Sequence, residues 1–420
     1  MSNFLEDYNQ NPSLTLLDSQ WQEASKNNLH HSVMLYASMA LQKRKQQNLI
    51  KFPEDTDLFT ALSISGYYTK DINDRNTAKA AVNTLCIEKN ISTVYRDLAR
   101  KNQLFYTQQL DELTGPFDIK KFDFDFDYHA TNPSILNWKN KLWMIQRTVN
   151  YTIDENERYN TGLNDPIKTK NYLVELNDDL SIAQYQLIRE PDYTPLYNLV
   201  LGFEDCRLFS VQDELYCIAT NRDHNKDGQC QIALAKIIPS TAEMVDVRIL
   251  SSPDPSEHQK NWMPFSSNDS FRFLYLCDPT TVIDHTGKIL NQFISPVAAE
   301  NFRGGGQLID FENGFLAIVH ESVILDNSLR NYVHRFVRFD RKCQITGISP
   351  RFKFSDNRIE FAAGLAWHPN HQELLISFGI NDQESCLAIV DYKKISKIIE
   401  PYSVLQSINQ PVGPTLINKF

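Results

Sequence analysis

The chain has 420 residues, enough for two domains or for one large repeat-built domain with an appendage, and its 42% apolar and 22% charged residues are those of a globular protein. With 42 basic against 52 acidic residues the formal charge is -10, which leaves no broad cationic field to hold a phosphodiester backbone and excludes nucleic acid as an expected partner. No apolar run approaches the roughly 20 residues of a spanning helix, and MSNFLEDYNQNPS has no basic segment followed by an apolar one, so no membrane contact and a cytoplasmic location are expected.

The first 115 residues carry apolar positions at helical spacing, in HHSVMLYASMALQK, LFTALSISGYY, AAVNTLC and VYRDLARKNQLFYTQQL. They predict antiparallel helix pairs, and residues 1 to 115 are expected to form a helical domain resembling tetratricopeptide repeats. Within it KDINDRNT predicts a turn, because Asp71, Asn73, Asp74 and Asn76 compete for backbone hydrogen bonds. The seven cysteines (Cys86, Cys206, Cys217, Cys230, Cys277, Cys343 and Cys386) lack C-x-x-C spacing, which predicts reduced core thiols and no structural zinc.

From about residue 122 the period becomes that of strands. FDFDFD, with Asp123, Asp125 and Asp127, predicts an edge strand with a solvated acidic face. Beyond it one unit recurs five times: a polar signature, a short apolar strand, a turn, and a second apolar strand ending in polar residues. The copies begin near Ala130, Gly202, Lys260, Gly304 and Glu360, with turns at WKNK, VQDE, SNDS, FENG and HPNHQE. About 60 residues per unit suffice for a four-stranded blade, so residues 122 to 420 are expected to form a five-bladed β-propeller, and the whole chain is mainly β with an N-terminal α-helical domain.

In a propeller the signatures converge at one mouth. That mouth would gather Asn132, Arg147, Glu204, Asp205, Arg207, Lys260, Asn261, Trp262, Arg303, His320, Glu321, Glu360 and Asp382. Carboxylates, guanidinium groups, amides and a tryptophan suit a sugar, whose hydroxyls bond planar polar groups while its apolar face stacks on a ring. Glycosidic chemistry needs a carboxylic acid to protonate the leaving oxygen, and crowding of Asp205 beside Glu204 would raise one pKa while Arg207 holds the other group ionised. Glu360 and Asp382 are candidate second carboxylates, Glu321 is a further catalytic candidate, and the remaining residues, with Asp382, are candidate substrate contacts.

GFEDCRLF is similar to the Gly-x-Glu-Asp-x-Arg segment of glycoside hydrolase family 130, the five-bladed β-mannoside phosphorylases and hydrolases, and of related β-1,2-mannosyltransferases. RGGGQLIDFENGFLAIVHESV resembles that family's glycine-rich segment followed by a strand ending in His, and LLISFGINDQESCLAIVD its closing Tyr-Gly-x-x-Asp region, with Phe378 in place of Tyr. The resemblance covers about residues 125 to 392. It implies that Asp205 is the proton donor, acting in the phosphorylases through a sugar hydroxyl, that Arg207 binds substrate and that His320 contacts phosphate. Gln231 stands where the phosphorylases have an arginine, which points away from phosphate and toward hydrolysis or transfer from an activated sugar.

The expected function is therefore a carbohydrate-active enzyme working on β-mannosides with inversion. An oligosaccharide or a sugar donor such as a mannoside or nucleotide sugar would be its partner, with no cofactor and no metal. The alternative is a non-catalytic propeller that binds a glycan or protein, its helical domain recruiting a protein partner.

Overall fold

The structure, a computed structural model, describes residues 12–69, 71–162, 165–267, 270–324 and 329–401. The chain divides into a helical unit ending at Thr107, which also takes in residues 296–298, and a β unit running from Gln108 to Pro401 around that insertion. The second unit therefore begins before the residue at which the sequence pattern changes period.

In the helical unit five helices follow one another: α1 (Leu14–Lys26), α2 (His30–Gln46), α3 (Thr56–Tyr68), α4 (Ile72–Ile87) and α5 (Thr93–Gln103). Each packs on the next around a core that includes Leu17, Met34, Phe59, Leu62, Val82 and Leu85. Helices α3 and α4 cross closely at Gly66, where an added Cβ would stand 2.1 Å from the Ala78 methyl carbon. Arg44 bonds Asp18 at 2.7 Å and Asp55 at 2.9 Å, tying the start of the unit to the approach to α3. The turn expected at KDINDRNT is corrected: Asp71 accepts hydrogen bonds from the Asn73 and Asp74 amides and so caps α4, which runs through Asn76. No described helix is long and apolar enough to cross a membrane.

The β unit is built mainly of antiparallel strands in a propeller arrangement. Four of its sheets follow a four-strand meander. The first comprises His129–Trp138, Lys141–Val149, Ile167–Leu176 and Ile182–Leu187, the second Phe203–Val211, Glu214–Asn221, Gln231–Ile238 and Glu243–Ile249, and the third Met263–Ser267, Ser270–Cys277, Thr280–Asp284 and Ile289–Phe293. The last meander takes Glu360–Trp367, Glu373–Ile380 and Glu384–Asp391 from the end of the chain and Asp118–Phe122 from before the first sheet. The front and the back of the β unit thus share one sheet through hydrogen bonds, a strand exchange that no local pattern announces.

Five equivalent blades were the expectation, and the structure shows four such meanders. The unit beginning at Gly304 lies instead in a branched eight-stranded sheet, in which Gly314–Ile324 pairs Arg330–Phe339 and the short strand Gln108–Gln109 joins in parallel to Phe352–Lys353. The expected edge strand at FDFDFD is also absent: residues 123–127 leave the strand, because Phe124 stacks on Phe126 at 4.6 Å and Phe126 on Tyr172 at 4.0 Å, while the aspartates stay exposed. All seven cysteines are free and buried, as expected.

The innermost strands meet closely. Gly306 faces Gly364, where an added Cβ would lie 2.7 Å from the Gly364 Cα, and a Cβ on Gly364 would in turn lie 2.5 Å from the Ile135 nitrogen. The Gln307 amide nitrogen donates to the carbonyls of Ile135 at 2.6 Å and Leu365 at 2.7 Å, locking three sheets together. The three glycines after Arg303 are therefore a packing device in which backbone replaces side chain. Gly306→Ala is expected to destabilise the fold by about 1–3 kcal/mol through overpacking against backbone, read as a lower denaturant midpoint at unchanged slope.

Candidate active site

Three innermost strands of the meanders carry a bulge near their polar signatures, between Thr131 and Ser134, Glu204 and Arg207, and Ala362 and Gly364. Asn132 and Asp205, inside the first two, take positive φ of 43° and 50°, a conformation that Asn and Asp tolerate better than most side chains. Asn261, Asn381 and Asp382 do the same at 62°, 52° and 52°. The sequence thus places short polar residues where the backbone must kink, and each kink re-aims a side chain.

Their side chains converge. Arg147 donates to Asp205 Oδ1 at 2.7 Å, and Asn132 Nδ2 donates to the same oxygen at 3.1 Å and to Asp382 Oδ1 at 3.4 Å. Tyr151 donates its hydroxyl to Asp382 Oδ2 at 2.8 Å. On the other side Arg207 donates to the Asp205 carbonyl at 3.3 Å, to Asn261 Oδ1 at 3.0 Å, to the Gly304 carbonyl at 3.3 Å and to the Gly305 carbonyl, and its guanidinium lies 5.9 Å from the Phe361 ring centre. Phe361 in turn meets His320 edge-on at 5.0 Å. Lys260 stands 4.0 Å from Glu204 at the rim.

Burial and neighbouring charge set the protonation states. Burial alone would raise the Asp205 carboxyl, but Arg147, Arg207, the Asn132 hydrogen bond and Lys260 outweigh it and hold Asp205 below the ordinary carboxylate value. The sequence leaves open which of the adjacent carboxyls is held ionised, and at Asp205 the nearest cations decide the sign. Burial opposes the charge on Arg147, and Asp205, Tyr151, Glu204 and Asp382 together keep it firmly cationic. For Arg207 burial wins and the pKa is lowered, with Asp205 opposing. Burial, then Arg207 and Arg303, pushes His320 down to about 3, so its imidazole is neutral. Its Nδ1 has no hydrogen-bond partner among the described residues, and neither does Arg147 Nε.

Not every expected residue joins this cluster. Trp262 is 1% exposed and packs on Phe273 and Tyr275 in the core between the second and third sheets, its indole donating to Gln259 at 3.2 Å, so the proposed stacking platform is a core residue. Glu321, next in sequence to His320, points to the opposite face and is gripped by Arg335 at 3.0 Å and by Arg351, which bonds both carboxylate oxygens. Strand alternation separates the two neighbours. Glu360 is likewise turned away from the mouth: it accepts from the Phe354 amide at 2.9 Å and from the Ser355 hydroxyl, and burial pushes it up to about 7. Arg303 is exposed and donates to the Glu300 carbonyl at 2.7 Å, acting on the cluster through charge alone. Among the described residues no group of three His, Cys, Asp or Glu side chains is placed to hold a metal ion.

Tyr151 and Phe361 are members that the repeat pattern does not reveal. Tyr151 lies one residue past the polar end of its strand, and Phe361 takes an ordinary apolar strand position. A second insert adds to the mouth: the hairpin Thr152–Ile153 with Tyr159–Asn160 presents Glu157, which bonds Arg330 at 2.7 Å and Arg358 at 3.1 Å. Tyr159 stacks edge-on against Tyr151 at 4.9 Å.

No family model and no curated protein sequence matches the chain. Solved structures similar to it include the β-1,2-mannobiose phosphorylase from Listeria innocua in complex with β-1,2-mannobiose, at 11% identity over 67% of this chain and 98% of that one, with a TM-score of 0.46. Two proteins from Leishmania mexicana are also similar: MPT-4, a mannose phosphorylase in complex with phosphate ion (14% identity, 69% and 93% of the two chains, TM-score 0.46), and MPT-1, a GDP-Man-dependent mannosyltransferase (11%, 67% and 92%, TM-score 0.43). A structure described as belonging to the GH130 family is among the others, the same family that GFEDCRLF resembles. At these identities and TM-scores the likeness assigns no substrate to this chain.

The Glu321 site gives a test that separates a structural carboxylate from a catalytic one. Glu321→Gln leaves two buried guanidinium groups short of their counter-charge and is expected to cost about 3–5 kcal/mol of stability by denaturant unfolding. Glu360→Gln should flatten the dependence of stability on pH between 5 and 8. With its folded pKa raised to about 7, Glu360 stabilises fully below its unfolded value, and that contribution is lost as pH rises through 7.

Proposed function

We propose that the chain is a carbohydrate-active enzyme acting on β-mannosides with inversion, with the cluster around Asp205 as its active site. The single observation that carries this reading is the convergence of Asn132 and Arg147, far apart in sequence from Asp205, on its partly open carboxylate, with Asp382 sharing the Asn132 amide and Arg207 bonding the Asp205 backbone carbonyl. Asp205 keeps 22% of its side chain exposed while Arg147 beside it keeps 6%, so a ligand can reach the carboxylate but not the group that charges it. The choice of mannoside rests on the similarity of GFEDCRLF and the two later segments to family 130.

The protonation state refines the chemistry. A carboxylate held ionised is a poor proton donor to a leaving oxygen and a competent acceptor of a proton. Of the two reactions expected from the sequence, transfer from an activated sugar is therefore favoured over hydrolysis. Asp205 would take the proton from the attacking acceptor hydroxyl as that oxygen bonds the anomeric carbon, and the leaving group would depart as an anion that needs no proton. Arg147 and Arg207 orient Asp205 and offset negative charge. Asp382, held by Asn132 and Tyr151, is placed to accept hydrogen bonds from sugar hydroxyls. His320, neutral and with Nδ1 unpaired, can bond a polar ligand group without adding charge.

Asp205→Asn tests the proposal. The full chain is incubated with GDP-mannose or a mannoside and with manno-oligosaccharide acceptors, and products are resolved by chromatography. Turnover is expected to fall by about 10²–10⁴-fold while sugar binding persists, and unchanged turnover would sink the assignment. The acidic limb of the rate profile should lie below the ordinary aspartate range, since the group acts as its anion and Arg147 and Arg207 depress its pKa against burial. The pair with Arg147 stabilises the fold above the unfolded carboxylate pKa and ceases to do so as pH falls through the folded one.

A further inference from the structure

The innermost strands that begin at the Asp205 cluster all end at a second cavity, of about 390 Å³, at the opposite end of the β unit. Asn137, Ser210 and Ser266 are the next-to-last residues of the first three of these strands and Trp367 closes the last, while Asp310 stands on the short strand Ile309–Phe311. Five strand residues, at about 3.3 Å each, put on the order of 15 Å between Asp205 and Ser210. The Gly306–Gly364 contact and the Gln307 hydrogen bonds fill the space between the two ends, so this cavity is not an extension of the first site.

We propose that this second cavity binds a neutral polyhydroxylated ring, a pyranose or the end of an oligosaccharide. Its volume falls within the roughly 300–1,000 Å³ of small-molecule sites. Gln307 lines it and is 2% exposed; both hydrogens of interest on its Nε2 go to backbone carbonyls, which leaves Oε1 as a buried acceptor without a partner among the described residues. Such an acceptor calls for a hydroxyl donor. Asn137, Asn140, Ser210 and Ser266 add neutral donors and acceptors, and Trp367 adds an aromatic surface, the combination a sugar ring uses. At the rim Asp310 pairs with Arg341, and Lys139 lies 4.5 Å over the Trp138 ring. One lysine resting on an aromatic ring is not the cluster of cations that a phosphate calls for, and the polar groups named above are neutral, which fits an uncharged ligand. The inference goes beyond the reading of the Asp205 cluster and does not depend on it.

Mannose and β-1,2-mannobiose serve as probes for the full chain, with binding followed by saturation-transfer NMR and calorimetry. Ser266→Trp fills the cavity from an exposed strand position, and Ser210→Trp fills it from the neighbouring strand should the first variant misfold. Saturable binding weakened at least tenfold by either folded variant is the expected result. Binding that both fillers leave unchanged, or no saturable binding at all, overturns the proposal. Turnover is not the readout, so either outcome leaves the Asp205 reading to its own test.

Discussion

One amide hydrogen-bonds two carboxylates that belong to different sheets: Asn132 Nδ2 lies 3.1 Å from Asp205 and 3.4 Å from Asp382. Like charges at that spacing repel, and taking an ion out of water costs several kcal/mol. The arrangement holds because Arg147 meets Asp205 directly at 2.7 Å while Tyr151 covers the far oxygen of Asp382. The bulges at Asn132 and Asp205, the glycines that let innermost strands touch, and the strand from the front of the β unit that completes the last sheet all serve to bring these groups within reach. Any change that moves one of the strands disperses the charges.

Two buried charge networks in the same unit differ in a way that separates structure from chemistry. Glu321 is 2% exposed, and each of its oxygens is held by guanidinium groups of Arg335 or Arg351. That network is closed and points to the core. The Asp205 network is open on one side, and two of its buried polar atoms, His320 Nδ1 and Arg147 Nε, are without partners among the described residues. Unsatisfied buried polar atoms are rare in folded proteins, so these two set the network at Asp205 apart from the closed one at Glu321.

Much of this was legible in the sequence. GFEDCRLF shows both the site and its irregularity, since a strand cannot present Glu204, Asp205 and Arg207 near one mouth without a kink, and the kink is there. The turns at WKNK, VQDE and FENG join the strands expected, with Lys139, Asn140, Gln212, Asp213 and Glu312 at positive φ; part of SNDS lies outside the described residues. What failed did so for reasons of face and distance. Trp262 and Glu321 each follow a residue of the Asp205 cluster by one position and point elsewhere, Trp262 into the core and Glu321 to the other face of its strand. Glu360 starts its strand in the right place but finds Phe354 and Ser355 nearer than the mouth. The branched sheet and the closing strand Asp118–Phe122 depend on partners hundreds of residues away, which no local period encodes.

The central claim is that Arg147 and its neighbours keep Asp205 anionic in a site otherwise dry enough to neutralise it. Titration of the Asp205 carboxyl carbon by NMR, with Asp205→Asn used to assign the signal, measures this directly. The account predicts a midpoint below the value of about 3.9 found for an unperturbed aspartate. A midpoint clearly above it would make Asp205 an acid, contradicting both the electrostatic picture and the preference for transfer.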